Sequence, residues 1–113
     1  MEKIILDTSF ILSAVKKKID FFEELSDYEI LIPINVLNEI EGLKKSNSTA
    51  NICLKVLEKN KFKKINFKTK NTDRGIVEYS KNNDLIIATL DKEIKNKTKN
   101  KKLVIRGKKL EII

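Results

Sequence analysis

The 113 residues contain no histidine and no tryptophan. Without histidine, His-ligated zinc sites, Ser-His-Asp triads and Cys-His pairs are excluded. The single cysteine, Cys53, excludes an internal disulfide and any CxxC metal or redox motif. No stretch approaches the ~20 apolar residues a membrane helix needs. The opening MEKIILDTSFILSAV is apolar in part, but Asp7 interrupts it and no small-residue cleavage site follows. The expectation is a soluble, cytoplasmic protein with no membrane partner. Whatever chemistry it performs must come from carboxylates, hydroxyls, amides, Lys or Arg.

What is present suits a single globular domain over residues 1–113. The chain is 41% hydrophobic and 35% charged, enough apolar surface to fold without staples and too much for a disordered segment. The net charge of +8 is unevenly placed. Between residues 92 and 109, Lys92, Lys95, Lys97, Lys99, Lys101, Lys102, Arg106, Lys108 and Lys109 face Glu93 alone. Between residues 55 and 70, Lys55, Lys59, Lys61, Lys63, Lys64, Lys68 and Lys70 face only Glu58. The remainder is net acidic. Two basic blocks on an acidic body suit a protein that holds a polyanion, with Lys and Arg on its phosphates. The stretch KNKTKNKK (95–102) reads equally well as a flexible solvated loop.

Short β-branched runs alternate with helical periodicities. Strands are predicted at 3–6 (KIIL), 28–32 (YEILI), 64–67 (KINF), 85–89 (LIIAT) and 103–105 (LVI), with a terminal edge strand at 110–113. Helices are predicted from about Ser9, over 19–25, and from Pro33 in its first turn, with Val36, Leu37, Ile40 and Leu43 facing inward. Further helices are expected over 50–57 (Ile52, Val56 and Leu57 inward, Cys53 near that face), from Thr72 and Asp73 to about Asn82, and from Asp91. This alternation argues an α/β fold with a mainly parallel central sheet flanked by helices. In such sheets ligands bind beyond the carboxyl ends of the strands, so the residues just after strands carry the interest.

Asp7 follows the first strand and Asp91 follows LIIAT after Leu90. Either is equally a plain helix N-cap. Asp73 shares a helix face with Ile76 and Val77 and is expected to point toward the sheet, away from water, although Thr72 and Asp73 also compete as caps. Arg74 is rotated off that face. Glu39 and Glu41 flank the Val36–Ile40–Leu43 stripe, and helical geometry does not choose between them. Such acids suit Mg²⁺ or Mn²⁺, which take hard oxygen ligands and need no His, and hence phosphodiester hydrolysis.

IILDTSFIL, PINVLNEIEGLK and TDRGIVEYSKNNDLIIATLDKEI resemble the motifs of the PIN domain family of metal-dependent ribonucleases. The likeness spans nearly the whole chain, and the tail is similar to small archaeal-type members related to ribosome-processing nucleases. The resemblance implies a PIN-like three-layer sandwich. It also implies an acidic cluster of Asp7, Glu39, Asp73 and Asp91 around one or two Mg²⁺ or Mn²⁺ ions, with Glu39 preferred to Glu41. Thr8, Ser9 and Thr89 would be supporting hydroxyls, and Lys92, Lys95, Lys97, Lys99 and Arg106 would face RNA. Ser9 stands where relatives often carry Asn, and Arg74 stands where many carry a second acid. The implied activity is endoribonucleolytic, in ribosomal-precursor processing or as a toxin with an antitoxin partner, and the implied assembly is a homodimer. The alternative is a non-catalytic PIN-like RNA-binding or ribosome-assembly protein, with Arg74 as its supporting feature. A phosphoryl-accepting domain is disfavoured because Ser9 sits where a phosphatase of that type has its second Asp.

Overall fold

Ile4, Ile5 and Leu6 are all fully buried, which places their strand between two apolar layers. The computed structural model describes residues 1–113. It has strands β1 (Lys3–Leu6), β2 (Glu29–Pro33), β3 (Lys63–Ile65), β4 (Ile86–Ala88), β5 (Lys102–Arg106) and β6 (Lys109–Ile112). The helices are α1 (Thr8–Lys16), α2 (Phe21–Glu24), α3 (Ile34–Leu43), α4 (Ser48–Glu58), α5 (Thr72–Lys81) and α6 (Lys92–Lys97). The six strands form one sheet in the order β3-β2-β1-β4-β5-β6. All neighbours are parallel except β5 and β6, which form an antiparallel hairpin. Gly107 turns that hairpin at φ 61°, a conformation a side chain would strain.

Alternation along β1 divides the core. Ile4 and Leu6 join Phe10, Ile11, Phe21, Val36, Ile40, Cys53 and Leu57, under α1–α4. Ile5 points the other way and joins Leu31, Ile76, Ile87 and Ile94, under α5 and α6. The result is the expected three-layer sandwich. The strand order reverses direction at β1, which pairs with β2 on one side and β4 on the other, so the carboxyl ends of β1 and β4 lie together.

Several local expectations are corrected. Pro33 closes β2 and stands at the N-cap of α3, extended at φ −62° and ψ 142°, rather than in the first helical turn. Because β3 pairs only with Leu31–Pro33, it ends at Ile65, and Asn66 and Phe67 fall in the loop beyond it. Ile52 is 52% exposed; the inward face of α4 is Ala50, Cys53 and Leu57, one step around the helix. The 95–102 stretch is not a free loop. Helix α6 takes residues 95–97, Asn100 donates its amide to the carbonyls of Ser80, Asn83 and Leu85, and buried Lys102 donates to the carbonyls of Thr98 and Asn100.

Gly75 is buried in α5 beneath the ring of Phe67, and a Cβ built there would fall 2.7 Å from Phe67 Cγ. Gly75→Ala should therefore destabilise the fold by ~1–3 kcal/mol despite its better helix propensity. Urea titration reads this directly. Adding Phe67→Ala should remove the clash penalty, and a Gly75→Ala protein as stable as the parent would contradict the packing described.

Candidate active site

Asp7 is the residue at which β1 gives way to α1. Its N–H donates to the carbonyl of Ala88 at 3.0 Å, which locks it beside the end of β4. Only 5% of it is exposed, and its carboxylate is held from three directions. Thr8 N–H donates to Oδ1 at 2.8 Å, the cap interaction. Thr89 Oγ1 and Ser9 Oγ donate to Oδ2 at 2.8 and 3.2 Å. These hydroxyls are themselves fixed, Thr89 by the N–H of Asp91 (3.1 Å) and Ser9 by the N–H of Leu90 (3.1 Å). Burial raises the Asp7 pKa above the ordinary carboxylate value; the bonds from Thr89, Thr8 and Ser9 offset part of this, and the charge of Glu39 adds to it.

Asp91 caps α6, accepting from the N–H of Glu93 at 2.9 Å. The cap role and a place at the rim thus coexist at both Asp7 and Asp91. Glu39 reaches from α3 and accepts from Thr8 Oγ1 at 2.5 Å and from Thr72 Oγ1 at 3.2 Å. Glu41 pairs with Lys44 at 2.5 Å on the solvent side, which separates the two acids that helical geometry left equivalent.

Asp73 departs from the sequence expectation. The buried stripe of α5 is Thr72, Gly75, Ile76 and Ser80, and Asp73 is exposed beside it. The cap of α5 is Asn71, accepting from the N–H of Arg74 at 3.0 Å, rather than Thr72 or Asp73. The Asp73 pKa is nonetheless raised, by partial desolvation first and then by Asp91, Asp7, Glu39 and Glu93. Those negative charges place all five acids in one electrostatic neighbourhood. Arg74 turns away to Glu78, its Nε 2.9 Å from Oε1, and does not neutralise Asp73.

The carboxylates share a rim without closing on one point: no three are assembled tightly enough to hold a metal ion as they stand. By donor chemistry the set fits a hard divalent cation, since every donor is an oxygen and the neighbouring acids raise the proton affinity of Asp7 and Asp73. Asp7 is fixed in place, whereas Asp73 is exposed and Glu39 is held by two hydroxyls only.

Two residues were missed in sequence. Thr72, read only as a cap, is buried and donates to Glu39. Glu93, counted only as a charge, adds to the field at Asp73. Their signal was position, since each lies within a few residues of an assigned acid on the same helix start.

The basic residues divide. Lys92 is exposed one step after Asp91, and Lys97 lines a cleft of about 420 Å³ between α5 and α6 with Asp73 and Glu93. Lys95 is half-buried. Arg106 lies at the carboxyl end of β5 but is paired with Glu111 at 2.6 Å. Lys99 stands with Lys81 and Asp84, ahead of β4 and hence at the opposite edge of the sheet.

Comparison with known proteins agrees with this architecture. The family profile described as "PIN like domain" matches residues 4–108. Ribonuclease VapC4 of Methanocaldococcus jannaschii is 31% identical over 125 aligned residues, covering 96% of this chain and 94% of that protein. Two solved structures share the fold. The PIN domain endonuclease Utp24 superposes with a TM-score of 0.82 at 24% identity, over 97% of this chain and 90% of that one. A domain of a functionally unknown protein from Methanocaldococcus jannaschii gives 0.65 at 17% identity, over 100% and 97%.

Proposed function

The chain belongs to the PIN-like domain family, and on that premise we propose that it is an endoribonuclease dependent on Mg²⁺ or Mn²⁺. The observation that carries the reading is Asp7, a carboxylate buried where β1 and β4 meet, aimed by Thr8, Ser9 and Thr89 and surrounded by further acids. Burying a charge in that way is costly unless a cation or proton accompanies it.

When bound, a divalent cation supplies charge neutralisation at the phosphate and activation of water. Asp7 and Asp91 would hold it from the ends of adjacent strands, with Glu39 and Asp73 closing from α3 and α5. Thr89 and Ser9 keep Asp7 in its orientation, and Thr72 and Thr8 do the same for Glu39. Lys92 and Lys97 border the acids and would take the neighbouring backbone phosphates.

The test is cleavage of labelled RNA. The protein should cut it with Mn²⁺ or Mg²⁺ and should be silent in EDTA. RNA binding without metal-dependent cutting would return the non-catalytic alternative. Two cellular settings fit such a nuclease, namely trimming of a ribosomal precursor and a toxin restrained by an antitoxin. A curated relative called a ribonuclease is consistent with either. For the homodimer that the family resemblance implies, the groove between α1 and α4 offers apolar surface at exposed Ile52 and half-buried Val15 and Val56.

A further inference from the structure

Beside the acidic rim lies a second cleft, about 650 Å³, between α3 and the loop joining β3 to α5. It touches the acidic cluster through Glu39 and Thr72, which line it. Its other walls differ from the α5–α6 cleft, being rich in amides and containing no acid besides Glu39. Asn35 is structural: its amide donates to the carbonyls of Thr69 and Lys70 at 3.2 and 3.1 Å and ties the loop to the helix. Asn38, one helical turn on, and Asn66, just past the end of β3, both line the cleft and are exposed. Neither side chain is used in a hydrogen bond within the protein. Lys68 and Lys70 stand on the same loop, both exposed. They end the 55–70 basic block, which the sheet order places on the opposite side of the acids from the 92–109 block.

We propose that this cleft is a nucleotide subsite in which Asn38 and Asn66 read the edge of an unpaired RNA base, adenine by preference, while Lys68 and Lys70 hold its phosphates. The proposal rests on the nuclease reading for its substrate, and it adds base selectivity on one side of the scissile phosphate. A carboxamide presents a donor and an acceptor side by side, which matches adenine on either edge, N6 with N7 and N6 with N1, whereas a pyrimidine offers only one such edge. Proteins read RNA sequence through splayed, single-stranded bases in pockets of this kind. The junction with Glu39 would set the bound nucleotide next to the position of cleavage. With basic blocks on both flanks of the acids, a single strand would cross the rim from the β3 edge toward β5.

The experiment measures binding apart from cleavage. Labelled oligoadenylate, oligocytidylate and oligouridylate are titrated in EDTA against the full chain and against the double variant Asn38→Ala, Asn66→Ala. Both amides are solvent-facing and bond to nothing in the fold, and circular dichroism checks that the variant is folded. Oligoadenylate should bind the parent about tenfold tighter than either pyrimidine oligomer, within the discrimination one amide-to-base pair gives. The double variant should lose that difference. Lys68→Ala with Lys70→Ala should weaken all three oligomers alike and flatten the log–log salt slope by about 1.4. Equal affinities in the parent, a pyrimidine preference, or a preference surviving in the Asn variant would each overturn the subsite. Cleavage of RNA with Mn²⁺ alongside such a result would leave the nuclease reading standing. Base-selective binding without any metal-dependent cleavage would leave the cleft standing and remove the nuclease.

Discussion

Asp7→Asn is expected to lower Mn²⁺-dependent RNA cleavage by at least about 100-fold, a loss of ~2.7 kcal/mol of transition-state stabilisation. The substitution keeps the shape of the side chain and its acceptor for the N–H of Thr8. The new amide faces Thr89 and Ser9, whose hydroxyls can turn to accept. What is removed is the charge at the most buried carboxylate of the rim. RNA affinity in EDTA should stay within about twofold, because phosphate contacts carry most of it. Cleavage by single-turnover kinetics, read beside circular dichroism, checks the result. A folded Asp7→Asn protein that cuts RNA at the parent rate would remove Asp7 from the reaction.

The second large effect is a stability that depends on both metal and pH. Asp7 and Asp73 have folded-state pKa values raised above the usual 3.8. Between that value and the raised ones, the native protein binds more protons than the unfolded chain. The contribution of these two groups to stability in EDTA should therefore be full below the ordinary carboxylate pKa, be lost as pH rises through the raised values, and then level off. Mn²⁺ should reverse this loss, because a cation takes the place of the protons. At 100 times its dissociation constant it should add ~2.7 kcal/mol, or on the order of 10 °C in Tm for a chain of this size. Thermal melts as a series from below the ordinary carboxylate pKa up to pH 7.5, each with EDTA or Mn²⁺, measure both effects, and comparison with the double variant Asp7→Asn, Asp73→Asn isolates the part due to these two acids. An identical Tm with and without Mn²⁺ at pH 7.5 would contradict the cation-binding reading. That double variant should show neither this part of the pH dependence nor the metal response.

The sheet was legible in the sequence because each of its central strands is an uninterrupted apolar run, a pattern that burial on both faces demands. Asp7 and Asp91 were legible for a related reason, since the end of such a run marks the rim. Helix faces were less so. Asp73 and Ile52 were each assigned to a buried stripe that lies one residue around the helix. In a short helix an apolar neighbour on either side satisfies the same spacing, and only the packed partner decides between them. On α5 that partner includes Phe67, which packs over Gly75 on the buried face, and the contact joins a loop to a helix. The amide-lined cleft was invisible for a different reason. Asn35, Asn38 and Asn66 belong to two segments that look unremarkable until β3 pairs with β2 and sets the loop beside α3.

The bond from Asp7 to Ala88 joins residues far apart in the sequence. β1 is synthesised well before its neighbour β4, the hydroxyl of Thr89 and the carboxylate of Asp91. A nascent or prematurely terminated product ending before β4 would carry Asp7 without the elements that orient it. Any cleavage that needs an oriented Asp7 would in this way wait for synthesis to pass Asp91, so copies stopped before β4 would be harmless to the RNA around the ribosome that makes them.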